Sequence, residues 1–463
     1  MLFDIEHKSA SFARLKLAGR LTKTTALEPL RNLLSSAPLQ NLAGIGLNCT
    51  GVTRVNHAGL VSLIELLLEQ DPQWRGAYGL TDAMTDPLQA CGMLPNLPVF
   101  PNIEEMEQSP DFLACQLPFT PAVVLCSSGD TGLGPIPDAG PTALLDILGR
   151  PLAQRTLDHF KSFGIQTVFV NADKTSGAVS DFVRDTQLLG QSVIFNCETL
   201  SPLALVKRLI THQGLGAESI ILHSGHAVGD LNLAKMVQAH NERNADLTLL
   251  RSGRREATAK VVRCSANLPA NGQRPLFEGV AILRVSAADA LADRGLDLAQ
   301  TVVASGGRVF SYDPCNPTIE VTSAKRYVSV LRHALAGQIK HPAPEGSEHS
   351  SGLWVHHTAR LGRRPDLTGR AYVAAHASVA RGAALRGFVV VGQGASIGRK
   401  TVVRDSIILP GVDVEDGAII ENQIVAPHWS LNHSFVQNRP ETTTALDFVR
   451  STDRTEALIN LTA

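Results

Sequence analysis

Between Leu125 and Asp146 the chain reads LCSSGDTGLGPIPDAGPTALLD, a Ser/Gly-rich turn that follows the apolar run Ala122–Leu125 and leads into a leucine-rich segment. Turns of this composition let successive backbone amides wrap an anion, and phosphate is the anion they commonly cradle. The residues placed to do so are Ser127, Ser128, Gly129, Asp130, Thr131 and Gly132, and the whole stretch contains no lysine or arginine. Charge that builds during phosphoryl transfer would therefore have to be met from elsewhere, or by a metal ion held on Asp130.

The elements that position this loop alternate in type. Ala13, Leu15 and Leu17 alternate with polar neighbours, as in a half-buried strand, and Gly19 breaks the run. Thr24 or Thr25 can cap a helix that ends near Leu34. Ile45, Leu47 and Cys49 predict a second strand, and GLVSLIELLLE (Gly59–Glu69) an apolar helix. After the linker QSPDFLACQLPFTP, strands are predicted at Thr167–Val170, Ser192–Phe195, Ser219–Leu222 and Val280–Leu283. Helices are predicted at Leu152–Phe163, Pro202–His212 and Leu231–Asn241, with Asp230 as an N-cap. Such alternation implies a mainly parallel, doubly wound sheet.

A different period governs the C-terminal part. Val355, Leu361, Leu367, Val373, Val379, Leu385, Val391, Ile397, Val403 and Leu409 are ten aliphatics at six-residue spacing, after which the phase slips to Val414 and Ile420. Six residues fit neither a helix nor a simple strand; they fit a hexapeptide β-solenoid, with about three hexapeptides to each coil. Ala445–Val449 is a candidate capping helix in the aperiodic tail.

Composition narrows the class. The chain has 463 residues, 44% hydrophobic and 18% charged, with 42 Lys and Arg against 43 Asp and Glu. That is ordinary globular protein without a basic face, so nucleic-acid binding is not expected. Its seven cysteines (Cys49, Cys91, Cys115, Cys126, Cys197, Cys264, Cys315) are scattered and form no CxxC pair, which fits a reducing, cytoplasmic compartment. MLFDIEHKSASF has no signal-peptide character and no apolar run reaches membrane-spanning length, so membrane insertion is not expected.

GRL at Gly19–Leu21 followed by TTALEPL, then IGLNCTGVTRVNHAGLVSLIEL and GAYGLTDAMTDPLQACGML, resembles a STAS domain. The resemblance implies an Asp-Ser-Ser/Thr-Gly turn with a phosphorylatable hydroxyl; here the turn is Asn56-His57-Ala58-Gly59 and carries none. Phosphorylation in the family's manner is thereby excluded at this turn, which is left to meet a protein partner or an anion at the helix N-terminus. His57 is either a proton-linked contact or a solvated turn residue.

The blocks LLDILGRPLAQRTLDHFKSFGIQTVFVNADK, SIILHSGHAVGDLNLAKMVQAHNERNADLTLL, FEGVAIL and IEVTSAKRYVSVLRHALAG, with the solenoid after them, resemble nucleotide-sugar pyrophosphorylases over about Pro121 to Pro427. The resemblance implies a loop Gly-x-Gly-Thr-Arg-Leu and then Pro-Lys-Pro-Leu, whose arginine and lysine neutralise the triphosphate. Here Asp130 stands at a glycine position, Gly132 replaces the arginine and Thr142 the lysine. Loss of one preorganised charge contact of this sort costs on the order of 10²–10³ in rate. His226 replaces the implied magnesium-binding aspartate, and imidazole is a poor magnesium ligand. Leu200-Ser201-Pro202-Leu203 stands where the nucleobase segment is implied, and a Glu-Lys-Pro block is missing between Val261 and Phe277. On the sugar side Glu278 and Gly279 remain, and Glu320 keeps the second metal carboxylate.

The expected fold is α/β plus β-solenoid: a STAS-like α/β domain (1–107), a linker (108–119), a Rossmann-like nucleotidyltransferase domain (120–340), a left-handed parallel β-helix (350–427) and a tail (428–463). The expected function is that of a pyrophosphorylase-like protein impaired in catalysis. It would serve as a regulatory, scaffolding or ligand-sensing component of nucleotide-sugar or surface-polysaccharide synthesis. Partners implied are a nucleotide or nucleotide-sugar, a protein at the STAS-like domain, and a homo- or hetero-oligomer with a pyrophosphorylase homologue. The alternative is an active sugar-1-phosphate nucleotidyltransferase with a rearranged site, holding Mg²⁺ on Asp130 and Glu320. A third class is a β-helix acyltransferase using a coil histidine (His356, His357 or His376) as general base.

Overall fold

A computed structural model describes residues 2–9, 11–22, 27–35, 42–70, 72–81, 84–86, 89, 97–126, 142–172, 177–186, 192–196, 202–213, 217–250, 279–290, 298–314, 318–321, 323–339, 343–362 and 366–432. Residues Ser127–Gly132, Thr24, Thr25, Leu200, Ser201, Glu278, Ala445–Val449 and four of the cysteines (Cys91, Cys197, Cys264, Cys315) lie outside them.

The first sheet runs β1 (Leu2–Lys8), β2 (Phe12–Leu21), β3 (Gly44–Val55), β4 (Trp74–Tyr78) and β5 (Val99–Phe100), with β1 antiparallel and the rest parallel. Ala13, Leu15 and Leu17 of β2 are buried, as their alternation predicts. Helix α1 (Glu28–Leu34) starts from Leu27, which makes no side-chain cap, in place of the predicted threonine cap. Pro29 in its first turn supplies a backbone already set for helix. Helix α2 (His57–Glu69) lays Leu60, Leu63, Ile64 and Leu67 on the sheet at helical spacing.

The segment predicted as a linker is folded. After α3 (Ile103–Gln108), Ser109 accepts a hydrogen bond from the Phe112 amide and starts the short helix α4 (Pro110–Leu113). Phe112 packs edge-on against Phe12 and Trp74, with ring centroids 4.9 and 5.2 Å apart. Beyond it the Leu117 amide donates to the Phe163 carbonyl at 2.9 Å, tying this connection to the next layer.

The second sheet has seven strands in the order β10-β9-β6-β11-β14-β13-β15. They are β6 (Ala122–Cys126), β9 (Thr167–Ala172), β10 (Ser192–Asn196), β11 (Ser219–His223), β13 (Leu247–Leu250), β14 (Val280–Arg284) and β15 (Val309–Tyr312). Only β14 runs antiparallel to its neighbours. The hairpin β7 (Asp146–Ile147) and β8 (Arg150–Pro151) precedes α5 (Leu152–Ser162), and β12 (Ala227–Gly229) pairs with β16 (Thr318–Glu320) outside the sheet. Helices α6 (Gly177–Thr186), α7 (Pro202–Gln213), α8 (Leu233–Glu242), α9 (Val285–Ala290), α10 (Leu298–Ala304) and α11 (Ala324–Leu335) complete the layer. The N-cap of α8 is Asn232, whose side chain accepts from the Lys235 amide at 2.9 Å, and not Asp230. Leu231 between them is buried, so the chain must dip into the core before the helix begins. This mixed α/β arrangement with parallel strands fits a Rossmann-like nucleotidyltransferase domain.

In the third region each long strand pairs in parallel with the one a coil later. β18 (Leu353–Val355), β20 (Asp366–Val373), β22 (Ala384–Val391) and β24 (Val402–Ile408) stack this way, as Leu353↔Ala371, Asp366↔Ala384 and Ala384↔Val402. Short strands β19 (Arg360–Leu361), β21 (Ser378–Val379), β23 (Ser396–Ile397) and β25 (Asp413–Val414) stack in a second parallel sheet. All ten six-spaced aliphatics lie in or against one apolar core between these sheets.

The phase slip occurs earlier than the spacing indicates. Arg404 pairs with Arg386, but Ser406 pairs with Val389, so Asp405 alone faces Gly387 and Phe388. From there Val391 stacks on Ile408, and Leu409 moves to the margin of the core. Asp405 takes a left-handed backbone (φ 44°) and accepts the Phe388 amide at 3.1 Å. Aspartate and asparagine tolerate that conformation because their short polar side chains bond locally. Asp405→Ala is expected to destabilise the fold by about 1–3 kcal/mol, since it strands the Phe388 amide, whereas Asp405→Asn stays near wild type. Thermal melts of the two variants check this.

Candidate functional site

The carboxyl ends of β6 and β11 meet the β12–β16 ribbon, at the place where ligands bind in open parallel sheets. Gly225 adopts φ 79°, and any Cβ there would run into the Leu125 carbonyl, so the turn must be glycine to lie against the end of β6. His226 follows half-buried, its carbonyl accepting the Val321 amide at 2.8 Å. The ribbon sets Glu320 opposite Ala227. Glu320 is buried and its carboxylate accepts the amide of Gly279, itself left-handed at φ 67°.

Three of the sequence-predicted site residues, His226, Gly279 and Glu320, are thus brought together. Thr142, in a 3₁₀ turn (Thr142–Leu144), is buried. The predicted turn residues Asn56, His57, Ala58 and Gly59 sit in the first sheet's layer. There Asn56 Oδ1 accepts the Gly59 amide and Nδ2 donates to the Thr22 carbonyl, both at 2.9 Å. That cap already uses an N-terminal amide an anion would want, and Gly59 is pressed against the Leu21 carbonyl.

The described donors do not fit magnesium. Among the described residues no group of three or more His, Cys, Asp or Glu could hold a metal ion. Glu320 is the carboxylate within the two ribbon strands, it is engaged by a backbone amide, and His226 beside the ribbon brings an imidazole. Asp130 lies outside the described residues.

Residues that the sequence reading passed over line a cavity of about 600 Å³ beside this crevice, between α5, the ribbon, the connector at 343–346 and the first coil. Arg150 bonds Asp158 at 2.7 Å and Glu345, which holds its guanidinium above the usual range. Arg155 donates to the carbonyls of Ile147, Leu148 and Ala343 at 2.8–2.9 Å. Burial, with Arg150 close by, brings the Arg155 guanidinium down to about 10. His223 is fully enclosed; burial first, then His159 and His226, push its imidazole down to about 3. Its Nδ1 accepts the Gly225 amide at 3.0 Å and its ring meets Phe160 edge-on. The signal for this cluster was present in GRPLAQRTLDHF, where Arg155, Asp158 and His159 recur at helical spacing.

Asp146, at the base of the hairpin, accepts the Gly149 amide at 2.7 Å, and burial raises its carboxyl to about 6.

Residues 367–439 match the family model described as the GMPPB C-terminal domain. A curated relative, UTP–glucose-1-phosphate uridylyltransferase of Synechocystis sp., is 21% identical over 372 residues, covering 69% of this chain and 96% of the relative. Translation initiation factor eIF2B subunit epsilon of Dictyostelium discoideum is 29% identical over 129 residues, 26% of this chain and 18% of that protein's length. The crystal structure of HddC from Yersinia pseudotuberculosis superposes with a TM-score of 0.39 at 16% identity, over 46% of this chain and 98% of that one. The family match and the uridylyltransferase relative together support a nucleotide-sugar pyrophosphorylase-like family. No helix among the described residues is long and apolar enough to cross a membrane.

A carboxyl whose folded-state value is raised favours folding while protonated. That contribution is withdrawn as pH climbs from about 4 to about 6 at Asp146. Asp146→Asn keeps an acceptor for Gly149, so it is expected to stabilise the protein at pH 7.5 and to make no difference near pH 4. Denaturant unfolding at the two pH values measures it.

Proposed function

We propose that this chain is a nucleotide-sugar pyrophosphorylase-like protein with impaired transferase chemistry, acting as a regulatory or ligand-sensing component of nucleotide-sugar metabolism. The observation that carries the reading is the state of the carboxylate site. Glu320 is engaged by the Gly279 amide, and His226 stands where a second acidic ligand would be needed. The loop supports it, since Asp130 and Gly132 leave it one carboxylate and no cation with which to meet a triphosphate.

The uridylyltransferase relative supports a nucleotide or nucleotide-sugar as the ligand. In this reading the third region is a left-handed parallel β-helix, supported by the coil-to-coil parallel ladders. The first is a STAS-like module that docks a protein partner, supported by the α2 turn and its mixed sheet. The chain works in the cytoplasm, in surface-polysaccharide or related synthesis, as part of a homo- or hetero-oligomer with a pyrophosphorylase homologue.

The full chain incubated with a panel of NTPs, sugar 1-phosphates and Mg²⁺ is expected to release no pyrophosphate above background, while calorimetry detects nucleotide or nucleotide-sugar binding. Turnover abolished by Glu320→Ala would overturn the reading in favour of an active transferase.

A further inference from the structure

We propose that the cavity of about 600 Å³ beside α5 is a second binding site, built for an uncharged polyhydroxylated ligand about the size of one hexose ring. It adjoins the crevice at Glu320 and shares the β12–β16 ribbon with it, while its own lining extends away to α5 and to His356 and His357. The volume falls within the range of small-molecule pockets, and the site lies where two packed layers meet, a common place for them.

The first argument is hydrogen-bond accounting. His223 is only 4% exposed, and its Nδ1 is already an acceptor for the Gly225 amide. A neutral imidazole with an accepting Nδ1 carries its proton on Nε2. His223 lines the cavity, where that N–H is a donor available to a ligand. Thr318, on the same wall, has a buried hydroxyl that lacks a partner among the described residues. Buried polar groups in folded proteins are almost always bonded, so the unmatched Thr318 hydroxyl on a wall shared with His223 points to a ligand that completes it.

The second argument is charge. The guanidiniums of Arg150 and Arg155 face the carboxylates of Asp158 and Glu345, two charges against two, and the Arg155 donors are also met by backbone carbonyls. With His223 held neutral by burial, the described arginines and carboxylates of the lining bring no net positive charge. A phosphate buried there would lack a counter-charge, which is costly. A sugar hydroxyl both accepts and donates. It can take the hydrogens of His223 Nε2 and Thr318 Oγ1 and give its own to the carboxylates of Asp158 or Glu345. His356 and His357, their ring centroids 4.1 Å apart and tilted by 35°, line the cavity on the side of the third region and give the apolar face of a pyranose an imidazole to lie against.

The test is saturation-transfer NMR and calorimetry on the full chain with glucose, mannose and N-acetylglucosamine as neutral probes. Inorganic phosphate and glucose 1-phosphate are the charged ones. At least one neutral sugar is expected to bind saturably, phosphate is expected not to displace it, and Thr318→Val is expected to weaken it roughly tenfold. His357→Trp, which narrows the cavity from the solenoid side, should abolish binding and serves as the readout if Thr318→Val does not fold. Absence of saturable binding by every neutral sugar would sink the proposal, as would displacement by phosphate or unchanged affinity in both variants. A pyrophosphate signal in the turnover assay bears on the Glu320 crevice alone.

Discussion

One apolar seam holds the molecule's working parts in register: α11 lies along the outward rows of the coils. Tyr327, Val328, Leu331 and Leu335 on the helix face Tyr372, Val390, Ile407 and Ile424 on successive strands, all buried. Each such side chain withdrawn from water contributes roughly 1.5–3 kcal/mol, so the seam outweighs the polar ties around it. Ile147 and Leu148 draw the β7–β8 hairpin into the same cluster. Gly149 must be glycine because a Cβ would collide with the Tyr372 hydroxyl. The hairpin that follows the Ser/Gly-rich loop is therefore anchored on the parallel strands of the third region as much as on its own sheet.

That anchoring separates shape from chemistry. The backbone features that mould the crevice, Gly225 against Leu125 and left-handed Gly279 against Glu320, are set by close packing and persist whatever charges surround them. The charged positions answer to a different demand, the stabilisation of phosphate oxygens, and in the function proposed above they are the ones that differ. A fold can keep the outline of a site while the groups that do its chemistry change.

Much of the architecture was legible because it rests on local periodicity. The six-residue spacing marks the residues of one apolar core, and alternation at Ala13, Leu15 and Leu17 marks a buried strand face. Two errors came from details that periodicity does not carry. Asp230 has the sequence position of a cap for α8 because nothing local reveals that Leu231 turns inward first. The spacing points to a slip after Leu409 because Leu409 keeps the period in sequence after it has moved to the margin of the core. The cavity was illegible for another reason. His223, Thr318 and His357 are far apart along the chain and meet only because the seam sets the first coil over α5. The opening loop's side chains, Asp130 among them, lie outside the described residues, so the sequence remains what speaks for that part of the site.

The solitary residue at Asp405 changes the length of the repeat without changing its faces. Val390 and Ile407 both turn toward α11, and Val391 and Ile408 both stay inside, so the rows run straight across it. Ala384 meets Val402, eighteen residues on, whereas Ile407 meets Ile424, seventeen on. A strand alternates inside and outside with each residue, so a lost residue would turn the following side chains over unless the pairing skipped one too. The lone Asp405 facing two residues is that skip, and it lets two repeat lengths share one apolar core.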